Sequence, residues 1–214
     1  MELPTLYQFF DFIGTLAFAI SGTRLAAAKH FDWFGAYVVG VTTAIGGGTL
    51  RDVLLGVTPF WRMTAPIYLI FSGIALFWVV VFRKNLVRQN NTWFLFDAIG
   101  LALFTIAGLE KTLQLGFPYW VAVMMGTMTG AAGGVLRDVL LNDIPLIFRK
   151  EIYAMAGIIG GLAFCACDLM GFKTEISGIT GGIIILLIRI LAVRYHISLP
   201  MLKEEESISD NESK

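Results

Sequence analysis

Charge is scarce in this sequence. Asp, Glu, Lys and Arg make up 15% of its 214 residues, against roughly 25% in an ordinary soluble domain. The charge that is present cancels, 16 bases against 16 acids, so no overall field recruits nucleic acid or an acidic ligand. Cysteine is scarcer still. Cys165 and Cys167 lie two apart in one apolar run; on a helix that spacing turns them away from each other, which argues against a mutual disulfide. Two thiols are also too few for a metal site. There is no metalloprotease helix, no nucleophile elbow and no Cys/His ligand set, so neither an enzyme nor a resident metal or cofactor is expected. The first apolar run lacks a basic leader and carries Asp11, so it does not read as a cleavable signal.

Apolar sequence is what the chain has in quantity. It is 57% hydrophobic with a mean hydropathy of +0.74, and runs approaching the roughly 20 residues needed to cross a bilayer recur along almost its whole length. The composition predicts an all-α integral membrane protein with no separate soluble domain. Seven spans are expected, over about Leu6 to Ala28, Phe34 to Leu55, Ala65 to Phe82, Trp93 to Leu115, Pro118 to Leu141, Ile152 to Met170 and Ile176 to Val193. Val57 to Arg62 reads as an interfacial turn, Gln89 to Thr92 as a helix cap, and Pro118 suits a first helical turn. Residues 1–202 read as one transmembrane domain and the acidic, Ser-rich segment 203–214 as a disordered tail.

Seven spans place the termini on opposite sides. With the N-terminus outside, the inner ends carry Arg24, Lys29, Arg83, Lys84, Arg88, Arg149, Lys150, Arg194 and Lys203, and the outer ones Arg62, Lys111 and Lys173. That excess predicts an N-out, C-in topology. Arg189, near the end of the last span, reads as a side chain snorkelling to the inner interface.

The chain repeats itself. An offset of 86 residues, without a gap, superposes Asp11 on Asp97, Gly14 on Gly100, Phe18 on Phe104, Gly22 on Gly108, Gly40 on Gly126, Thr43 on Thr129, Gly47 on Gly133, Arg51 on Arg137, Asp52 on Asp138 and Pro59 on Pro145. Unrelated apolar helices would match on Leu and Ala, not on Asp, Arg and Pro. Each copy, about 6–83 and 92–170, holds three spans. An odd number forces the second copy to enter from the opposite face, an inverted pair related by an axis in the membrane plane. The span at about 176–194 lies outside the repeat.

The second and fifth spans carry the unusual chemistry. Gly46-Gly47-Gly48-Thr49-Leu50-Arg51-Asp52 returns as Ala132-Gly133-Gly134-Val135-Leu136-Arg137-Asp138. Glycine clusters in a span loosen the helix, and bared backbone is tolerated only against protein or a wet cavity. They are therefore expected to break helices 2 and 5 along a pathway, while Gly14, Gly22, Gly100 and Gly108, and the pairs Gly157/Gly161 and Gly178/Gly182, are expected to serve close packing. The first cluster is not a phosphate loop: it has neither the Lys-Ser/Thr ending nor a preceding strand. Each Arg-Asp charge costs about 2.5–3.5 kcal/mol in a membrane. Since i and i+1 side chains do not face each other on a helix, Arg51 and Arg137 are expected to pair elsewhere, across the axis with Asp138 and Asp52, or with Asp11 and Asp97. An ion-pair lock between the repeats and a direct ion-handling role are both open. Thr43, Thr49 and Thr129 stand near the expected breaks, as hydroxyl ligands or bonded back to their own helices. Asp11 and Asp97 read as pore-mouth acids that concentrate cations, or as partners for arginine.

These motifs, with the Asp-Phe-Ile-Gly and Asp-Ala-Ile-Gly starts of the two copies at Asp11 and Asp97, resemble the bacterial branch of the TRIC (trimeric intracellular cation channel) family, also described as the bacterial glycine-transporter domain. The resemblance covers about Leu6 to Arg194. It implies two inverted three-helix repeats plus a seventh helix, a homotrimer in membrane lipid, and a hydrophilic pore in each protomer conducting potassium and other monovalent cations. It carries over Gly46, Gly47, Gly48, Arg51 and Asp52, with Gly133, Gly134, Arg137 and Asp138, as the residues at which helices 2 and 5 kink and line that pore. The lysine-rich motif of animal members has no counterpart here. Secondary transport of a small zwitterion such as glycine is the second reading, since inverted repeats serve both.

Overall fold

Each long apolar run becomes a helix. A computed structural model of the chain, which describes residues 6–58, 61–88, 92–149, 152–195 and 197, contains α1 (Leu6–Ala28), α2 (Trp33–Leu54), α3 (Trp61–Arg88), α4 (Thr92–Gln114), α5 (Tyr119–Leu140), α6 (Ala154–Leu169) and α7 (Thr174–Arg194), with one 3-10 turn at Leu146–Phe148. There is no strand among the described residues. The third helix starts a turn earlier than its apolar run, so Pro66 falls inside it. Pro118 takes the N-cap of α5, just ahead of its first turn, and α2 is capped by Asp32, whose side chain accepts from the Gly35 amide at 2.6 Å. Pro59, the cap segment 89–91, Lys150 and the tail 203–214 lie outside the described residues.

The molecule is apolar outside and polar within. Phe77, Trp78 and Val81 on α3, and Ile179, Ile183 and Leu187 on α7, are exposed, whereas Asp11, Arg24, Arg51, Asp52, Asp97, Glu110, Arg137, Asp138 and Arg189 are buried. That inversion of the soluble pattern is what a lipid surround favours. Taken singly, the stretches Phe9–Ala28, Tyr119–Leu140 and Thr174–Arg194 are long and apolar enough to cross a membrane. Helices α2 and α4 dilute their apolar content with Gly, Thr and charged residues, much of which faces the protein interior.

The repeat is visible in the backbone. The turn after α1 passes through His30 at φ 61°, and the matched turn after α4 through Gly116 at φ 83°. The turn after α2 passes through Gly56 at φ 70°, and its match after α5 through Asn142 at φ 53°. In the latter pair the same closing bonds recur, Val57 N to Asp52 O at 2.9 Å and Asp143 N to Asp138 O at 2.8 Å, so left-handed caps end corresponding helices at corresponding residues. Helices α1, α2 and α3 pack among themselves as α4, α5 and α6 do, α1 meets α4, α2 meets α5, and α7 lies against α4 and α6. Phe18 and Phe104, equivalent residues, stack on each other at 5.3 Å. The chain thus folds as two inverted three-helix repeats plus a seventh helix.

The expected breaks are absent: α2 and α5 are α-helical straight through Gly46–Gly48 and Gly133–Gly134. The glycines serve contact instead. A Cβ on Gly47 would collide with the Thr129 carbonyl of α5, and a Cβ on Gly133 with the Thr43 carbonyl of α2. The two helices cross backbone against backbone, so their carbonyls keep their helical bonds and no wet cavity is needed to satisfy them. At the α6–α7 seam, Gly160 and Gly181 each present a carbonyl 2.8 Å from the other's missing Cβ, while Gly157 and Gly161 pack closely on Thr127 and Val123 of α5 and Gly178 on Glu110 of α4.

Gly47→Ala and Gly133→Ala are therefore expected to lower stability by about 1–3 kcal/mol through overpacking. Gly73→Ala, where an added Cβ meets nothing within 4 Å, should be neutral or stabilising by up to about 1 kcal/mol. Thermal unfolding of the three purified variants in detergent makes the comparison; equal melting temperatures would remove the crossing from the account of the fold.

Candidate functional site

Two charged clusters sit inside the bundle, one per repeat, each built on the last turns of the crossing helices. Arg51 ends α2 and Arg137 ends α5, and both are wholly shielded from solvent. In the second repeat Arg137 is a hub. Its Nε and Nη2 lie 2.8 Å from Asp138 Oδ1. Its Nη1 donates to Asp97 Oδ1 at 2.5 Å and to Ser21 Oγ at 2.8 Å. Asp138 Oδ2 in turn accepts from the Leu146 amide at 3.1 Å, which ties the 3-10 turn to the cluster. The Tyr153 hydroxyl donates to Asp97 Oδ1 at 3.4 Å. Gly134 makes room for that hydroxyl, which would lie 2.7 Å from a Cβ there.

The first repeat varies the same design. Arg51 Nε and Nη2 lie 2.8 and 2.7 Å from Asp52 Oδ1. Lys111 of α4 adds its ammonium to the same oxygen at 2.8 Å. The Tyr68 hydroxyl donates to Asp11 Oδ2 at 2.5 Å, the counterpart of the Tyr153–Asp97 bond. Asp11 has no ion pair among the described residues, whereas Asp97 is paired with Arg137.

Both clusters are stitched to the opposite repeat, by Ser21 of α1 reaching Arg137 and by Lys111 of α4 reaching Asp52. Neither stitch has a repeat counterpart: the matched residues are Ala107 and Leu25.

Several expectations change in the light of this geometry. The sequence-adjacent pairs Arg51–Asp52 and Arg137–Asp138 do form; neighbouring Cβ atoms diverge, but an arginine side chain is long enough to swing back to the next carboxylate. Among the described residues the ion pairs of Arg51 and Arg137 are with their sequence neighbours, and of the expected alternatives Asp97 meets Arg137. Asp11 and Asp97 are not mouth acids, being 3% and 0% exposed; their charge is needed inside. Thr43, Thr49 and Thr129 bond back to the carbonyls of Val39, Ile45 and Met125 at 2.6, 2.7 and 2.6 Å, so these hydroxyls donate within their own helices and keep only their lone pairs for another partner. Gly46 faces the Leu136 side chain. Arg189 does not snorkel; it is fully buried.

Sequence reasoning missed Ser21, Tyr68, Lys111 and Tyr153. The two tyrosines do the same work but stand 85 residues apart, one short of the repeat offset, so a gap-free comparison passes over them. Lys111 reads as a helix-end charge because nothing local marks its reach to Asp52.

Comparison with known proteins follows the same outline. The family model described as "Glycine transporter" matches residues 8–84 and again residues 94–168. A UPF0126 membrane protein of Vibrio cholerae is 41% identical over 201 residues, covering 92% of this chain and 82% of that protein. The UPF0126 inner membrane protein YadS of Escherichia coli is 39% identical over 206 residues, covering 94% and 99%. Among solved structures, the TRIC trimeric intracellular cation channel orthologue from Rhodobacter sphaeroides matches with a TM-score of 0.85 at 33% identity, over 91% of this chain and 100% of that one.

Arg137→Gln would leave the Asp97 and Asp138 carboxylates buried without their shared counter-charge, at an expected cost of about 3–5 kcal/mol. Ser21→Ala removes one bond to the same guanidinium, at about 1.5 kcal/mol. Unfolding of both variants in detergent ranks them; a smaller loss for Arg137→Gln than for Ser21→Ala would show that Arg137 is not the hub.

Proposed function

The chain belongs to the TRIC family, and on that premise we propose that it is a passive channel for monovalent cations, potassium above all, with a permeation path lined by α2 and α5 in each protomer. The observation that carries this reading is the pair of buried charged clusters on those two helices, within a fold that matches a TRIC cation channel over its whole length. The clusters bring four carboxylates, Asp11, Asp52, Asp97 and Asp138, to three bases, Arg51, Lys111 and Arg137. Carboxylates along a path attract cations and repel anions. Asp52 and Asp138 then act in two ways at once, as ion-facing groups and as anchors for the arginines.

The path is lined by continuous helices, and its charged members do the selecting. Gly47, Gly133, Thr43 and Thr129 support it by holding the helices together. A cation reaches Asp52 Oδ1 when the Lys111 ammonium or the Arg51 guanidinium moves aside, because both groups converge on that oxygen. By family likeness the working unit is a homotrimer in the bacterial inner membrane, with the N-terminus outside and the C-terminus in the cytoplasm. The description of the family model as a glycine transporter supports a second reading, secondary transport of glycine, in which the carboxylates hold the ammonium.

Single-channel recording of the purified protein in a planar bilayer separates the two. Unitary potassium currents without glycine are expected; saturable glycine uptake with no unitary current would replace the channel by the transporter. Asp52→Asn and Asp138→Asn are expected to alter unitary conductance or gating while trimers still form, and wild-type currents from both would leave these acids a purely structural role. For topology, Glu2→Cys and Ser209→Cys in a cysteine-free background should react with a membrane-impermeant maleimide from opposite sides, Glu2→Cys from outside; the reverse pattern would invert the orientation.

A further inference from the structure

Arg189 stands outside both clusters and outside the repeat, on α7, yet among the described residues it is one of three arginines with no exposed surface. A guanidinium near a helix end could reach water and does not. Its Cζ lies 4.8 Å from the ring centroid of Phe94, at the start of α4, and 4.8 Å from that of Tyr153, just ahead of α6. Its Nη1 donates to the Ile152 carbonyl at 3.2 Å. The planar cation is held between two aromatic rings, an arrangement that suits arginine and not lysine.

We propose that Arg189 is a positioning residue that sets the Tyr153 ring and, through it, holds the Asp97–Arg137 pair closed. The inference rests on the channel reading above for its electrical consequence. The chain of contacts is continuous. Arg189 packs on Tyr153; the Tyr153 hydroxyl donates to Asp97 Oδ1 at 3.4 Å; and the same oxygen takes Arg137 Nη1 at 2.5 Å. The 3.4 Å bond is long, so the ring's placement, more than the bond itself, keeps the hydroxyl over the carboxylate.

The device acts on one half of the molecule. The seventh helix has no repeat counterpart, and it packs mainly on α4 and α6, both in the second repeat. In the first repeat Asp11 is held by a tyrosine of its own but has no ion pair among the described residues. The inverted repeat would make the two ends of the path equivalent; α7 stiffens the second-repeat end and leaves the first-repeat end as the one that yields. Arg189 acts through the Tyr153 ring, so its loss should change how often the path opens and not what passes through it.

The test uses the full-length protein and two measurements. In bilayers, Arg189→Gln is expected to raise the open-to-closed ratio roughly tenfold, with unitary conductance and reversal potential unchanged. Arg189→Lys, which keeps the charge and loses the planar stack, should fall between it and wild type. Tyr153→Phe should match Arg189→Gln, and the double variant should go no further than either alone. Independently of current, hydrogen exchange should speed up several-fold at 135–142, the end of α5, and stay unchanged at 49–56, the matching end of α2.

A folded Arg189→Gln or Arg189→Lys protein with wild-type exchange at 135–142 overturns the proposal, as do additive effects of Arg189→Gln and Tyr153→Phe. A changed unitary conductance would place Arg189 on the path itself and overturn it equally. Where Arg189→Gln fails to fold, Arg189→Lys and Tyr153→Phe decide the matter. Absence of unitary current from the unsubstituted protein sinks the channel reading alone, and exchange still decides whether Arg189 holds the pair.

Discussion

The crossing of α2 and α5 is the contact on which the remaining structure depends. Gly47 lies under the Thr129 carbonyl and Gly133 under the Thr43 carbonyl, residues that correspond under the repeat. Only hydrogen fits at those two positions. Without a hydrophobic effect to drive helices together inside a bilayer, association comes from close packing and hydrogen bonds, and backbone approach of this kind supplies the packing. The crossing also sets the register of the charges. Arg51 and Arg137 each stand four residues beyond their glycine, about one turn, on helices that run in opposite senses. One charged cluster therefore falls to each side of the crossing.

Those clusters would be prohibitive if their charges faced lipid. Each guanidinium is instead met by a carboxylate on its own helix, and then by a group from the opposite repeat, Ser21 for Arg137 and Lys111 for Asp52. The arrangement is costly to break, since removing one member strands a buried charge, and this ties the electrostatics to the fold. The two halves are not equal. Arg137 holds two carboxylates and a hydroxyl, and the ring above Asp97 is fixed by Arg189 from α7; at the other end Asp52 holds two cations, one of them on a partly exposed lysine. Duplication supplies a symmetric frame, and the residues that depart from the repeat make its two charged clusters different.

Much of the fold was legible because its signals are local. Apolar run length marks the seven helices to within a few residues at most ends, and the constant offset reveals the repeat, since shared Asp, Arg, Gly and Pro positions do not arise from lipid exposure alone. The exceptions have physical causes. The glycine clusters suggested broken helices because a string of glycines has low helix propensity; in place, each Cβ-less face is filled by a neighbouring backbone, and packing outweighs propensity. The Arg-Asp neighbours seemed unable to pair because backbone periodicity separates their Cβ atoms, but the arginine side chain spans that separation. Tyr68 and Tyr153 escaped notice because a one-residue slip between the repeats hides their equivalence.

Run lengths, the repeat offset and the odd number of spans per copy were sufficient to specify a membrane protein of inverted halves, together with the residues that carry its charge. These are properties of one strand of residues, set by hydrophobic thickness and by parity. Which charge meets which, whether the glycines open a helix or close a crossing, and where Arg189 goes were decided only when helices distant in sequence came together. Asp97 and Arg137 are 40 residues apart and Ser21 and Arg137 are 116; no periodicity along the chain encodes such distances. They follow from the burial of every polar group against whatever partner the packing of seven helices brings within reach.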